Sequence, residues 1–219
     1  MHETRTCELS PKCMKIYKEL EKDFLAEVND GSISVDNALT KMLRLSQLTS
    51  GYVQLDPERI GLDSTKYEII DNNKIDLLKD ILLDIDIDEP VVVFCNFRNE
   101  INRIREMAEK SKRTSGELSG KENNLAEWQQ GKTSLLVVQI QSGGVGIDLT
   151  RSRYCMYFST GNSLFNFQQS QARVHRPGQL RKVYYIYLVA KGTVDMTIAK
   201  AMQNKQNLSE LFLQNRFEV

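Results

Sequence analysis

Four short apolar runs constrain this chain more than anything else in it. "PVVVFCNF" (90–97), "TSLLVVQI" (133–140), "RYCMYFST" (153–160) and "KVYYIYLVA" (182–190) are continuous rather than alternating. A strand with one wet face alternates apolar and polar residues, whereas a strand buried on both faces does not. Helical stretches separate the runs: "NNKIDLLKDILLDI", "RNEINRIREMAEK", "KENNLAEWQQGK" (Leu125 and Trp128 inward) and "FNFQQSQARVHR", with "TVDMTIAKAMQNKQNLSELFL" closing the chain. "SKRTSGEL" leaves room for a further short strand near Gly116. Strands alternating with helices predict an α/β fold, a mostly parallel sheet covered on both faces.

The first third reads differently. "SPKCMKIYKELEKDFLAEV" opens on Ser10-Pro11, a helix start, and places Met14, Tyr17, Leu20, Phe24, Leu25 and Val28 on one face. "NDGS" breaks it. "VDNALTKMLRLSQLTSG" repeats the pattern with Leu39, Met42, Leu43, Leu45 and Leu48 and stops at Gly51. The stretch 52–70 is a turn-rich connector with room for a small hairpin.

Composition narrows the function classes. Lys+Arg and Asp+Glu both number 29 in 219 residues, so any nucleic acid must meet a local surface rather than an overall field. Cys7, Cys13, Cys95 and Cys155 show no C-x-x-C spacing, which points to free thiols in a reducing compartment. With only His2 and His175 beside them, a zinc site is not expected. No apolar run has the length of a membrane span and no leader opens the sequence, so a cytoplasmic location is expected.

One motif is a false lead. "AEWQQGKT" (126–133) fits the loose phosphate-loop pattern. A phosphate loop needs a strand before it and a helix after, so that free helix N–H groups face the phosphates. Here the helix comes first and the strand follows. Gly131 is expected to end the helix instead, with Lys132 in its last turn.

Two other segments carry chemistry, and ligands in open α/β sheets bind at strand carboxyl ends. "QSGGVGIDLT" (141–150) leaves the strand "LLVVQI" with Gly143, Gly144 and Gly146, where backbone can approach a phosphate, and with Ser142 as a hydroxyl donor. Asp148 can accept from a ribose or an arginine. A plain tight turn would use the same glycines. In "QQSQARVHRPGQ" (168–179), a helix over 169–176 would put Gln169, Arg173 and Arg176 on one face. Forked, permanently charged guanidiniums suit a phosphate, though an exposed basic face has the same sequence. His175 reads as a hydrogen-bonding or packing residue.

"PVVVFCNF", "VVQIQSGGVGIDLT" and "QQSQARVHRPGQ", in this order and spacing, resemble motifs IV, V and VI of superfamily II helicases. The ending R-x-H-R-x-G-Q resembles Swi/Snf-related DNA translocases, including compact bacterial and phage forms. The resemblance covers nearly the whole chain and implies a C-terminal RecA-like motor lobe. Its domains would be a helical segment leading into the second motor lobe (1–60), the lobe itself (61–205) and a C-terminal tail (206–219). The first lobe of such motors, with its phosphate loop and acidic Mg²⁺ box, is not in this sequence. Asp148 stands where many remodelling enzymes have Asn and other superfamily II helicases have Asp.

The resemblance also implies roles. ATP with Mg²⁺ would be held mainly by an N-terminal ATPase lobe, in the same or a separate chain. Arg176, and with it Arg173, would reach the γ-phosphate as catalytic fingers. Gly144, Gly146 and Asp148 would face the nucleotide, and Gln169 would orient the arginine helix. Asn96, Phe97, Arg98, Ser142 and Gly143 would grip a DNA backbone, duplex or branched, without reading sequence. The alternative is a non-catalytic nucleic-acid-binding or docking module that kept the lobe fold.

Overall fold

Strands β4 (Val91–Cys95) and β6 (Leu135–Gln139), the two most apolar runs, pair with each other at the middle of one sheet. The computed structural model describes residues 1–29, 34–54, 67–142 and 147–213. Around that pair the order is β1–β8–β7–β4–β6–β5, with β1 His2–Cys7, β5 Ser115–Leu118, β7 Tyr154–Tyr157 and β8 Tyr184–Ala190. Every pairing is parallel. All six strands therefore end at one common edge, the carboxyl edge.

The period of two along each strand sorts the core onto two faces. Val92, Phe94, Leu136, Val138, Tyr157 and Tyr187 point one way, into the larger cluster. That cluster is shared by α1 (Pro11–Asn29), α2 (Val35–Thr49), α6 (Leu164–Val174), α7 (Val194–Gln203) and α8 (Leu208–Leu213). Val91, Val93, Leu135, Val137, Met156 and Ile186 point the other way, against α3 (Asn73–Leu83) and α4 (Arg98–Lys110). Both faces are covered, as the unbroken apolar runs require. Phe94, Tyr157 and Tyr187 stack across three neighbouring strands at centroid spacings of 5.3 and 5.2 Å, filling the larger face with aromatic area.

Three elements differ from the sequence expectation. β1 has no apolar signal, since "HETRTC" is an edge strand held by its backbone ladder to β8, His2 against Tyr185 through Cys7 against Ala190. The closing helix is broken after Gln203: Lys205 takes φ 55° and α8 restarts at Leu208. The helix expected over 121–132 shrinks to α5, Leu125–Gln129, with Trp128 fully buried and Leu125 half-buried. The connector does hold a two-stranded antiparallel ladder, β2 (Tyr52–Gln54) with β3 (Tyr67–Ile69). The strand near Gly116 is β5.

The phosphate-loop lookalike is a helix terminus. Gly131 takes φ +84°, its N–H donates to Trp128 O at 3.1 Å, and Lys132 N–H donates to Glu127 O at 3.0 Å. Those two bonds are the Schellman arrangement that closes a helix, and Lys132 lies just past the last turn. Arg151 reinforces the end by donating to the Trp128 and Thr133 carbonyls and lying 5.1 Å over the Trp128 ring. Among the described residues no helix is long and apolar enough to cross a membrane.

Candidate functional site

The expected site residues divide between the two edges of the sheet. α6 begins after β7 at the carboxyl edge and runs back across the sheet, so "QQSQARVHRPGQ" ends at the amino edge. Leu149 N–H donates to Arg173 O at 3.0 Å there, and Gln179 reaches the carbonyl of Ser152, two residues before β7. The expectation that both chemical segments sit at the carboxyl edge is corrected by this helix direction. The helix also stops at Val174, so Arg176 lies beyond it rather than one face-turn along it.

At the amino edge, residues 147–152 have no regular structure, yet each carbonyl accepts a hydrogen bond. Ile147 O accepts from Arg176 Nη1 at 3.1 Å, and Asp148 O from Gln129 Nε2 at 2.9 Å. Leu149 O takes Ser152 N–H at 3.0 Å, while Thr150 O and Ser152 O both take Gln179 Nε2 at 2.9 Å. Arg151 O is capped by Arg181. Asp148 Oδ1 accepts from the Thr150 amide and hydroxyl at 2.9 and 2.7 Å. Those two donors, with Arg176 nearby, hold the exposed Asp148 carboxyl below the usual carboxylate range. Arg176 is exposed beside it, whereas Arg173 is buried and donates to Gln169 Oε1 at 3.3 Å. Burial lowers the Arg173 pKa, but a guanidinium starts high enough to stay charged.

At the carboxyl edge, Asn96 is buried at 6% exposure. A Cβ on Gly161, which sits at φ +65°, would come within 2.7 Å of Asn96 Oδ1, so that glycine is what lets the next loop close over it. Phe97 is half-buried, edge-on to Tyr52 at 6.2 Å. Arg98 pairs with Glu117 and donates to Ser119 Oγ at 3.2 Å. Glu117 is fully buried and also takes Arg105 at 2.8 Å. Ser142 N–H donates to Gln139 O at 2.8 Å and its hydroxyl to Gln139 Oε1 at 3.2 Å. Gly143, Gly144 and Gly146 lie outside the described residues.

The sequence reading passed over Gln129, Gln179, Glu100 and Glu117. Gln179 closes the quoted motif string, but its contacts with the Thr150, Ser152 and Val174 carbonyls are visible only once the segments meet. Glu100 had a local signal, a carboxylate three residues after the residue preceding a helix, which is half of a capping box. Among the described residues no group of three His, Cys, Asp or Glu side chains could hold a metal ion.

Residues 73–178 match the helicase conserved C-terminal domain family. Over 220 residues the chain is 26% identical to protein p41 of Acyrthosiphon pisum secondary endosymbiont phage 1, covering 98% of this chain and 45% of p41. The chain spans less than half the length of the curated relatives it matches. Its fold is similar to the C-terminal part of the Fun30 ATPase domain, with TM-score 0.71, 16% identity and coverage of 99% of this chain and 95% of that one. It is also similar to the Sulfolobus solfataricus SWI2/SNF2 ATPase core solved with dsDNA, with TM-score 0.65, 22% identity and coverage of 99% and 46%. The match to the helicase conserved C-terminal domain thus lies on the sheet's central strands and both chemical segments, and the fold is similar to that of C-terminal ATPase domains of SWI2/SNF2 type.

Proposed function

We propose that this chain is the C-terminal half of an ATP-dependent DNA translocase or helicase, completed by an N-terminal ATPase lobe in the same or a separate chain. One observation carries the reading: Arg176, Gln179 and Arg181 lace residues 147–152 into a fixed strip that sets the exposed Arg176 beside the ionised Asp148. A pinned, exposed guanidinium next to a carboxylate fits a polyphosphate and its ribose. The named relatives agree with it, one being an ATPase domain and another an ATPase core with duplex DNA.

In this reading ATP with Mg²⁺, both held mainly by the other lobe, supplies the phosphoryl bond whose cleavage drives the cycle. Arg176 leaves the Ile147 carbonyl for the γ-phosphate, and Arg173 behind it, braced by Gln169, adds positive charge. Such fingers are worth roughly 10³–10⁵ in rate. Asp148, Gly144 and Gly146 face the nucleotide. The carboxyl edge, with Asn96, Phe97, Arg98 and Ser142, follows a duplex or branched DNA backbone, with Gly143 proposed as a further contact, and backbone contacts carry no sequence information. Opening and closing of the cleft between lobes then moves the two grips alternately. Residues 1–60 serve as the lead-in, helical apart from β1 at the edge of the lobe's sheet and the short β2, 61–205 as the rest of the lobe, and 206–219 as its tail, whose α8 packs on the core.

The test is ATP turnover by this chain joined to its phosphate-loop lobe, with and without duplex DNA. Arg176→Ala should abolish DNA-stimulated turnover while leaving DNA binding nearly unchanged. Retained turnover would remove the finger assignment. Folded, DNA-binding protein with no turnover in either form would favour the non-catalytic module.

A further inference from the structure

Glu100 is fully buried, yet it belongs to neither arginine-bearing segment. Its Oε2 accepts from Asn96 N–H at 2.9 Å, Phe97 N–H at 2.9 Å and the Ser159 hydroxyl at 2.6 Å. Its Oε1 accepts from the Ser50 hydroxyl, at the end of α2. Ser159 Oγ in turn accepts from Asn96 N–H at 2.7 Å. One carboxylate thereby joins the loop leaving β4, the loop leaving β7 and the end of α2. Burial pushes the carboxyl up, and the Ser159, Ser50 and Phe97 donors, with the Lys74 charge, oppose that shift. A side chain whose sole task is to cap α4 needs only the Phe97 amide. The other three donors come from outside α4, so the geometry exceeds what a helix cap requires.

We propose that Glu100 is the positioning residue of the nucleic-acid edge, fixing the 96–97 and 159–161 loops in one arrangement and tying that arrangement to α2 through Ser50. This rests on the reading of the carboxyl edge as a DNA grip. Glu100→Ala leaves the Phe97 amide without its acceptor and unties three segments. Glu100→Gln keeps them tied, because its amide oxygen can replace Oε2 while its NH₂ donates to the Ser50 hydroxyl. Ser159→Ala, at a half-buried position, is a milder variant that leaves folding to the core. Ile81→Ala, buried on α3 and making none of these contacts, is the control for general loss of stability.

The experiment uses the whole chain, with anisotropy of a short fluorescein-labelled duplex and amide hydrogen exchange at Asn96 and Phe97. Expected is a Kd raised roughly tenfold in Glu100→Ala, less in Ser159→Ala, and within about twofold of wild type in Glu100→Gln and Ile81→Ala. The Phe97 amide should exchange fast only in Glu100→Ala. Unchanged affinity in Glu100→Ala and Ser159→Ala, or an equal loss in Ile81→Ala, would overturn the proposal. A wild-type chain that binds no duplex removes the grip reading instead. In that case slow Phe97 exchange in Glu100→Ala still overturns the positioning role, and fast exchange rescued by Glu100→Gln still supports it.

Discussion

Lys74 and Asp195, 121 residues apart in the chain, meet with Nζ and Oδ2 at 2.6 Å and side-chain exposures of 2% and 9%. Asp195 also takes the Thr49 hydroxyl at 2.7 Å and Ala190 N–H at 3.2 Å, and the Lys74 ammonium lies 5.3 Å from the Phe158 ring centroid. The pair therefore nails the end of α2, the starts of α3 and α7 and the end of β8 to one point. A buried pair is costly to break and cheap to replace as a unit, because the damage comes from the charge left behind. Lys74→Met or Asp195→Leu alone should each cost about 3–5 kcal/mol in urea unfolding. The double substitution should recover much of that loss. Single losses as small as those of surface pairs would mean that water reaches the site.

Gly51 is a second fixed point. It takes φ +85°, its carbonyl accepts from Ile70 and Asp71 N–H, and a Cβ there would overlap the Asp71 carbonyl. Backbone cannot yield as a flexible side chain can. Gly51→Ala should therefore lose about 3 kcal/mol or more, while Gly120→Ala, with nothing within 4 Å of its Cβ, should stay within about 0.5 kcal/mol. Equal midpoints for the two variants in urea would show that the turn at Gly51 relaxes.

These two anchors mark where the sequence stops being legible. The continuous runs at 91–95 and 135–139 announce their burial, and so the sheet, because a doubly covered strand needs apolar residues at every position. β1 is silent, since an edge strand with polar side chains is specified by its partner's backbone. The sequence suggests a phosphate-binding pair in Arg173 and Arg176, but not their edge of the sheet, which follows from where α6 starts and how long it runs. Arg98 reads as a free cation in "NFRNE", and only the fold brings it to Glu117, nineteen residues on. Local pattern fixes an element's type; long-range pairing of charges fixes what a residue is available to do.

Thiol chemistry follows from burial. Desolvation pushes the Cys7 thiol up to about 11 and Cys13 to about 12, and raises the fully buried Cys95 and Cys155 as well. The thiolate is the nucleophile, so a pKa of about 11 leaves only about one Cys7 in a thousand reactive near pH 8. Native chain should be alkylated slowly by iodoacetamide, first at half-buried Cys7, with the rate rising as pH climbs toward that value. All four thiols should react promptly in denaturant. Fast native labelling at Cys95 or Cys155 would require the sheet centre to open.

Two helix ends use the same closing bonds as Gly131 without a glycine. Lys112 takes φ 56°, with its N–H on Glu109 O at 2.9 Å and Arg113 N–H on Ala108 O at 2.9 Å. Lys205 takes φ 55°, with its N–H on Met202 O at 3.1 Å and Gln206 N–H on Ala201 O at 2.8 Å. A left-handed backbone costs a residue with a Cβ about 1–2 kcal/mol, and glycine pays almost none of it there, though it gains entropy when unfolded. Both lysines are exposed, so replacing them removes little packing. The folded-state relief should outweigh the unfolded-state gain, giving Lys112→Gly and Lys205→Gly about 0.5–1 kcal/mol of added stability each. Gly131→Ala imposes the opposite change on an identical bond pattern and should lose about 1 kcal/mol. Thermal midpoints that move up for the two lysines and down for the glycine would confirm that all three ends share one geometry. A fall at Lys112 would instead reveal strain relieved by the neighbouring Arg113, whose guanidinium caps the Leu82, Ile85, Asp86 and Glu89 carbonyls and would shift with that turn.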